Sequence, residues 1–534
     1  MKAPRGIRSV LRLLATLVVV VTCLAFGWLR GAHLPWLGIN RLLEELFATV
    51  HSSDLQWMVV ACVSIYCFCF LWLNWQTSAD RGWYCLLGLP LLAVGLLSYG
   101  RNYALGLATT DPLVFLFGLA LFGGITFWHH SESKRARPFP IPAVLLGLVL
   151  LVFCLALLAD KQMGQAFIYR GQHRWSGLWA NPNMSGVLMA VGVVLAMGWA
   201  VLGVRCQVSG AKKAESGKRK SEILHWIQII LLAAAAVLCG IGLVRSYCRG
   251  AWLGAVCGLA YLVWSWLRRE SHLTPALSPR PTGGEGESSA GASALHLSCR
   301  SCISWLAHNW LPVSAMVVSV LLIGFWNLRH TEHIPTRRIA SAANVNDFSS
   351  RNRVAGWEGA LQMAAEQPWL GFGWNRQDEV YEQLYQRAKI ESFRAIRTND
   401  YFKLANTLGI PALVCFVAFV GLSLMRSAEL RVRNAETESD TSPRPSPQSG
   451  EGVSSRAPLA ALERSAGERH ASLALACRSG VVVLLVSFWF DGADSGLFRL
   501  ASSSLFWVLL ALGSVESEEG RKSRIENRSG MQPT

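Results

Sequence analysis

Residues 223–267 read Ile223-Leu-His-Trp-Ile-Gln-Ile-Ile-Leu-Leu-Ala-Ala-Ala-Ala-Val-Leu-Cys-Gly-Ile-Gly-Leu-Val244, then Arg245-Ser-Tyr-Cys-Arg249, then Gly250-Ala-Trp-Leu-Gly-Ala-Val-Cys-Gly-Leu-Ala-Tyr-Leu-Val-Trp-Ser-Trp-Leu267. Each apolar run is about twenty residues long, the length of one helix across the hydrocarbon core of a bilayer. A helix satisfies its own backbone polar groups there. The stretch therefore predicts two membrane helices joined by a short turn that carries two guanidinium groups.

Working outward, the same signature recurs. Apolar runs lie near 10–29, 56–74, 83–99, 112–128, 141–159, 184–204, 309–327, 401–425, 474–490 and 496–513. The chain is 52% hydrophobic and only 16% charged. The expected fold class is all-α: a polytopic membrane protein of about twelve transmembrane helices, with a large helical outer loop between spans 9 and 10. The expected organisation is spans 1–9 in residues 1–327, a periplasmic helical loop in 328–400, spans 10–12 in 401–513 and a cytoplasmic tail in 514–534.

Lys and Arg placement sets the expected orientation. Lys2, Arg5, Arg8 and Arg12 open the first span, Lys134, Arg135 and Arg137 follow the fourth, and Lys212, Lys213, Lys218, Arg219 and Lys220 follow the sixth. Arg268 and Arg269 follow the eighth. An even number of passes puts all of them, and both termini, in the cytoplasm. The first span has a basic start and an apolar core but no small-x-small site before Arg30, which reads as an uncleaved signal-anchor. The net charge of +16 fits topology and anionic membrane lipids, not nucleic acid. Many of the 14 cysteines fall in spans, where Cys is a small hydrophobe. Cys299 and Cys302 form a lone CxxC, weak evidence for zinc, and no metal site is expected.

Two segments, 273–302 and 441–475, repeat a Ser-Pro-Arg-Pro pattern within Gly/Ser-rich sequence. Such composition cannot bury enough surface to offset the entropy of ordering, so both are expected to be disordered cytoplasmic insertions.

The outer loop, Leu328 to Asp400, holds nine Arg and one Lys. A planar guanidinium grips phosphate or carboxylate through paired hydrogen bonds, so the bias points to an anionic, lipid-linked substrate. Positive-inside selection against outer Lys is the plainer explanation. Helical spacing predicts one helix over Arg353–Gln367 and a second over Gln377–Glu391, with Pro368 and Gly371-Phe-Gly373 turning between them. Asn399 and Asp400 are placed to cap the tenth span.

Three groups of residues suit chemistry. Arg245 and Arg249 sit at the outer membrane edge at i and i+4 and share a face if that turn is helical. Their alternative role is snorkelling to headgroups. A second outer loop carries Arg170, His173 and Arg174 before Asn181-Pro-Asn183, whose Asn side chains suit the start of span 6, where backbone N–H groups also welcome an anion. A lone exposed His such as His173 is most often without a role.

Four motifs in order resemble the O-antigen ligase and polymerase group of bacterial membrane glycosyltransferases. Trp179-Ala-Asn-Pro-Asn-Met-Ser-Gly186 resembles its asparagine-proline-asparagine signature, and Ser246-Tyr-Cys-Arg-Gly-Ala-Trp-Leu-Gly254 its serine-arginine-glycine stretch. Arg353-Val-Ala-Gly-Trp357 with Gln367-Pro-Trp-Leu-Gly-Phe-Gly373 resembles its outer-loop run, and Thr398-Asn-Asp-Tyr-Phe-Lys-Leu-Ala-Asn-Thr-Leu-Gly-Ile-Pro411 the element opening its next span.

The resemblance implies an inner-membrane enzyme that moves a glycan from undecaprenyl diphosphate to an acceptor, either the lipid A core (a ligase) or another glycan (a polymerase). It implies no cofactor and metal-free, Arg-based catalysis. By matching positions, Arg249, Arg245 and Arg353 are implied catalytic residues, while Arg170, Arg174, Asn181 and Asn183 are implied to bind substrate. Ligases of the group usually carry His where this chain has Thr398, and Thr is no general base near neutral pH. Asp400 is a candidate replacement, with capping as its alternative role; His330 and His333 are candidates from the start of the loop. A transporter or flippase of a lipid-linked glycan is the second reading, and a non-catalytic membrane assembly factor the third.

Overall fold

The computed structural model describes residues 87–106, 110–132, 146–154, 168–169, 172–176, 179, 181–210, 218–271, 348–374, 376–385, 399–424, 473–490 and 496–514. Among them the chain is helical, apart from turns and one minimal hairpin in which Ile168–Tyr169 (β1) pairs antiparallel with Gln172–His173 (β2). The expected spans near 10–29, 56–74 and 309–327 lie outside the described residues. So do the insertion at 273–302, that at 441–475 up to residue 472, and the tail beyond Ser514.

The helices are α1 (Leu89–Ala104), α2 (Thr110–Glu132), α3 (146–154), α4 (Pro182–Gly210), α5 (Lys218–Ser246) and α6 (Arg249–Ser271). Then come α7 (Phe348–Glu366), α8 (Arg376–Val380) continued by a π-helical turn at Tyr381–Tyr385, and α9 (Asp400–Leu408). The last three are α10 (Ile410–Leu424), α11 (Leu473–Phe490) and α12 (Leu500–Ser514). Among the described residues, Pro182–Ala200, Trp226–Ser246 and Leu473–Phe490 are long and apolar enough to cross a membrane. Asp111–Thr126, Ile410–Leu424 and Ala501–Ser514 are shorter apolar helices.

The central helix is α4, buried along almost all of its apolar length, while α5 leaves Trp226, Ile227, Ile230 and Leu231 exposed on one side. Small residues bring the backbones together, as membrane packing requires where lipid and Leu are equally apolar. A Cβ on Gly192 would lie 2.7 Å from Cys239 Sγ of α5, and one on Gly254 or Gly258 would lie within 3.0 Å of the Val483 or Ser479 carbonyl of α11. The deepest such notch is Gly118 on α2, where an added Cβ would sit 2.0 Å from the Trp507 indole. That indole is the hub of an aromatic layer, within 6.2 Å of Phe115, Phe122, Phe416 and Phe419.

The aromatic layer also sets the level of the helices. Phe122 faces Phe419 and Phe416 faces Phe506. Counting back along three helices of equal rise puts Ile410 level with Leu113 and Leu500. The apolar part of the tenth span therefore begins at Ile410, not at residue 401. The preceding segment is a separate helix, α9, which buries Asn406 and Thr407. Gly409 (φ 94) breaks the two apart. The carbonyls this break frees are satisfied by the loop: Phe372 N–H donates to Asn406 O (2.7 Å), Gly373 N–H to Thr407 O (3.1 Å), and Ile410 N–H donates back to Pro368 O (2.7 Å). In the sequence Lys403, Asn406 and Thr407 are scattered among apolar residues; the partners that terminate the helix lie far away in the chain.

Tertiary bonds gather the helix ends. Asn102 Nδ2 donates to Trp374 O (3.1 Å), Lys403 pairs with Asp111, and Tyr401 Oη donates to Leu485 O (2.9 Å). The C-terminal ends of α1, α5 and α11 and the N-terminal ends of α2, α4, α6, α10 and α12 thus share one end of the bundle, the alternation expected of successive antiparallel passes. Helices α7 and α8 pack on α9 at that same end.

Candidate functional site

The α5–α6 turn is built by local chemistry. Ser246 Oγ donates to Leu243 O (2.7 Å) and accepts from Cys248 N–H (3.3 Å), while Trp252 Nε1 also donates to Leu243 O (3.0 Å). Tyr247 takes φ 52, a conformation uncommon for a residue with a Cβ and held only where the surroundings over-determine it. The helix is therefore interrupted between the two arginines. Arg245 ends α5 and Arg249 begins α6, so they do not form an i, i+4 pair on one helix; the turn brings them to the same corner by reversing the chain.

The segment before α4 locks onto this turn. Arg174 is buried, and its Nε donates to Ser246 O (2.8 Å) while Nη2 donates to Asn183 Oδ1 (2.8 Å). Trp175 N–H donates to Arg245 O (3.1 Å), and the Arg245 guanidinium stacks 5.6 Å from the Trp175 ring. Asn181 caps α4, accepting from the N–H groups of Asn183 (2.8 Å) and Met184 (3.4 Å). Gly186 is the contact point of α4 with the turn, since a Cβ there would lie 2.5 Å from Ser246 Oγ.

Arg174, Asn181, Asn183, Arg245 and Arg249 thus converge. The Arg174 and Arg245 guanidinium groups meet here beside the start of α6, the helix that Arg249 opens and whose dipole favours negative charge, while the N–H groups at the start of α4 are taken up by Asn181. The sequence places Arg174 among substrate ligands; the fold turns its fork onto two protein oxygens, so that it braces the corner. Arg170, His330, His333 and Thr398 lie outside the described residues.

Arg353 enters from α7, half-buried. One turn later Trp357 meets Phe402 of α9 and Trp489 at the end of α11, with ring centroids 6.5 and 5.8 Å apart. The Gly254 and Gly258 contacts of α6 with α11 run antiparallel, which brings the start of α6 level with the end of α11. The end of α11 therefore lies between α7, which carries Arg353 one turn before Trp357, and the start of α6, which carries Arg249.

Asp400 belongs to a separate cluster. Asn399 caps α9, accepting from the N–H groups of Tyr401 (3.0 Å) and Phe402 (3.1 Å). Asp400 is 2% exposed and accepts the Leu497 N–H, tying α9 to the approach of α12. Burial pushes its carboxyl up to about 7, against the opposing pull of the Leu497 N–H, Lys403 and Arg499. The Lys403–Asp111 pair nearby was missed in the sequence. An acidic residue at the mouth of span 4 was its only signal, and the partners are nearly three hundred positions apart.

Residues 234–417 match the family model described as O-antigen ligase. Over that third of its length the chain is similar to the O-antigen ligase family. The match runs from α5 into α10 and so contains Arg245, Arg249, Arg353 and Asp400, while Arg174, Asn181 and Asn183 lie ahead of it. No curated protein matches the chain. The O-antigen ligase match and the apolar helices together give a membrane protein with a glycosyltransferase-type role.

Proposed function

We propose that the protein transfers a glycan from undecaprenyl diphosphate to an acceptor hydroxyl at the outer face of the bacterial inner membrane, with both termini in the cytoplasm and residues 328–400 as a periplasmic lid. The observation that carries this reading is the corner where the Arg174 and Arg245 guanidinium groups meet the start of α6, the helix that Arg249 opens. In the reaction the acceptor oxygen bonds to the anomeric carbon as the bond from that carbon to the diphosphate oxygen breaks. The electron pair of the broken bond stays on the diphosphate. Arg249 and Arg245 stabilise the negative charge that grows there, Arg353 supports it from the lid, and Arg174 with Asn181 and Asn183 holds the corner in shape. Asp400 takes the acceptor proton, its elevated pKa suiting a base that works near neutrality. The acceptor is the lipid A core or another glycan.

Arg249→Ala in the full chain tests this. Losing one preorganised donor lowers transfer by about 10²–10³-fold. The level of the variant in the membrane and its melting temperature are read beside transfer, so that loss of the fold and loss of the chemistry are told apart. A variant that transfers glycan at the normal rate overturns the reading. Movement of a labelled lipid-linked glycan across the bilayer without covalent transfer favours the transporter reading, which the broken tenth span brings to mind. That break lies at the membrane edge, whereas transporter sites lie near the midplane.

A further inference from the structure

The turn between α7 and α8 presents Trp369 and Leu370 at 76% and 74% exposure. These side chains are not displayed by a loose loop. Gly371 (φ 62) lies so close to α9 that a Cβ would sit 2.6 Å from Asn406 O, and Pro368 O accepts the Ile410 N–H. The backbone is fixed, and it fixes both apolar side chains outward.

Their position continues an apolar surface. Ile410, Val414 and Val417 are exposed along one side of α10, at the i, i+4, i+7 spacing of a single helix face. The Pro368–Ile410 bond places Trp369 and Leu370 at the head of this stripe, at the level where α2, α10 and α12 begin. Asp111 and Arg499 flank that level in sequence, so the boundary between water and hydrocarbon falls there. An indole with one apolar face and one N–H donor is suited to such a boundary.

We propose that Trp369 and Leu370 dock the outer loop into the headgroup boundary of the bilayer, with phospholipid as the partner. The docking fixes the depth of α7, and with it of Arg353 and Trp357, relative to any substrate whose tail lies in the same leaflet. The proposal rests on the membrane character of the chain and not on the transferase reading, so either can fail alone.

The test places photoreactive benzoylphenylalanine at position 369, and separately at the exposed Gln383 of the same loop, in the full-length protein. Both are reconstituted in nanodiscs of phosphatidylethanolamine and phosphatidylglycerol, irradiated and read by mass spectrometry. Position 369 is expected to give about ten-fold more lipid adduct than position 383. Equal yields, no lipid adduct at 369, or a dominant adduct to another segment of this chain or to a second copy each overturn the proposal. Both positions are solvent-exposed, so neither change threatens folding.

Discussion

Replacing Arg174 by Lys separates bracing from simple charge. Arg174 uses two nitrogens of one plane to reach two oxygens from different helices, Ser246 O and Asn183 Oδ1, each at 2.8 Å. A charge-assisted bond of this kind contributes about 1.5–3 kcal/mol. The Lys ammonium is a single point on a flexible stem and cannot serve both acceptors at once. Arg174→Lys therefore loses one bond and weakens the other, loosening the contact by roughly 2 kcal/mol. The Tyr247 turn, held in its left-handed conformation partly by that contact, relaxes and displaces Arg245 and Arg249. A displacement of about 1 Å in a positioned group lowers rate by about 10²-fold. The assay is glycan transfer in proteoliposomes from an undecaprenyl-diphosphate-linked donor, beside the thermal stability of the same preparations. The expectation is that Arg174→Lys and Arg174→Ala are similarly impaired in transfer. A Lys variant that works at the wild-type rate while the Ala variant fails would falsify the bracing role and restore Arg174 as a direct anion contact.

Two further outcomes are expected. Burial raises the Asp400 carboxyl above its ordinary value, so the folded state prefers the protonated acid; that contribution is complete below the ordinary carboxylate range and is lost as pH rises through about 7. Wild-type thermal stability should therefore decline between about pH 4 and pH 7 and level off above, with a flatter profile in Asp400→Asn, which still accepts the Leu497 N–H; transfer should follow the opposite slope in wild type and stay low throughout in Asp400→Asn. Gly118→Ala drives a methyl group to 2.0 Å from the Trp507 indole and should destabilise by about 1–3 kcal/mol, read as a lowered melting temperature in detergent, with no selective effect on donor binding.

Much of the scaffold was legible because a bilayer leaves few choices. The helix ends at Ser246, Arg249, Phe490 and Leu500 fall within a few residues of where apolar runs stop, and the Asn181 and Asn399 caps follow from residue type alone. The tenth span was misread at its start because Asn406 and Thr407 are neutral and small. Nothing local says that Phe372 and Gly373 will take their carbonyls. The site was legible in its residue types and not in its geometry. The spacing of Arg245 and Arg249 invites a helical face, whereas Ser246 and Tyr247 reverse the chain between them. The inward fork of Arg174 depends on a carbonyl contributed from 72 positions later, which no pattern of spacing reveals.

The stitching of the loop to the tenth span has a mechanical consequence. The segment from Pro368 to Trp374 shares backbone bonds with both sides of the Gly409 break and a further bond with Asn102 of α1. That edge is riveted to three helices at once and cannot serve as a pivot. Motion of α7 relative to the bundle is therefore confined to parts away from this edge, and a substrate of the proposed reaction would enter elsewhere than past Trp369.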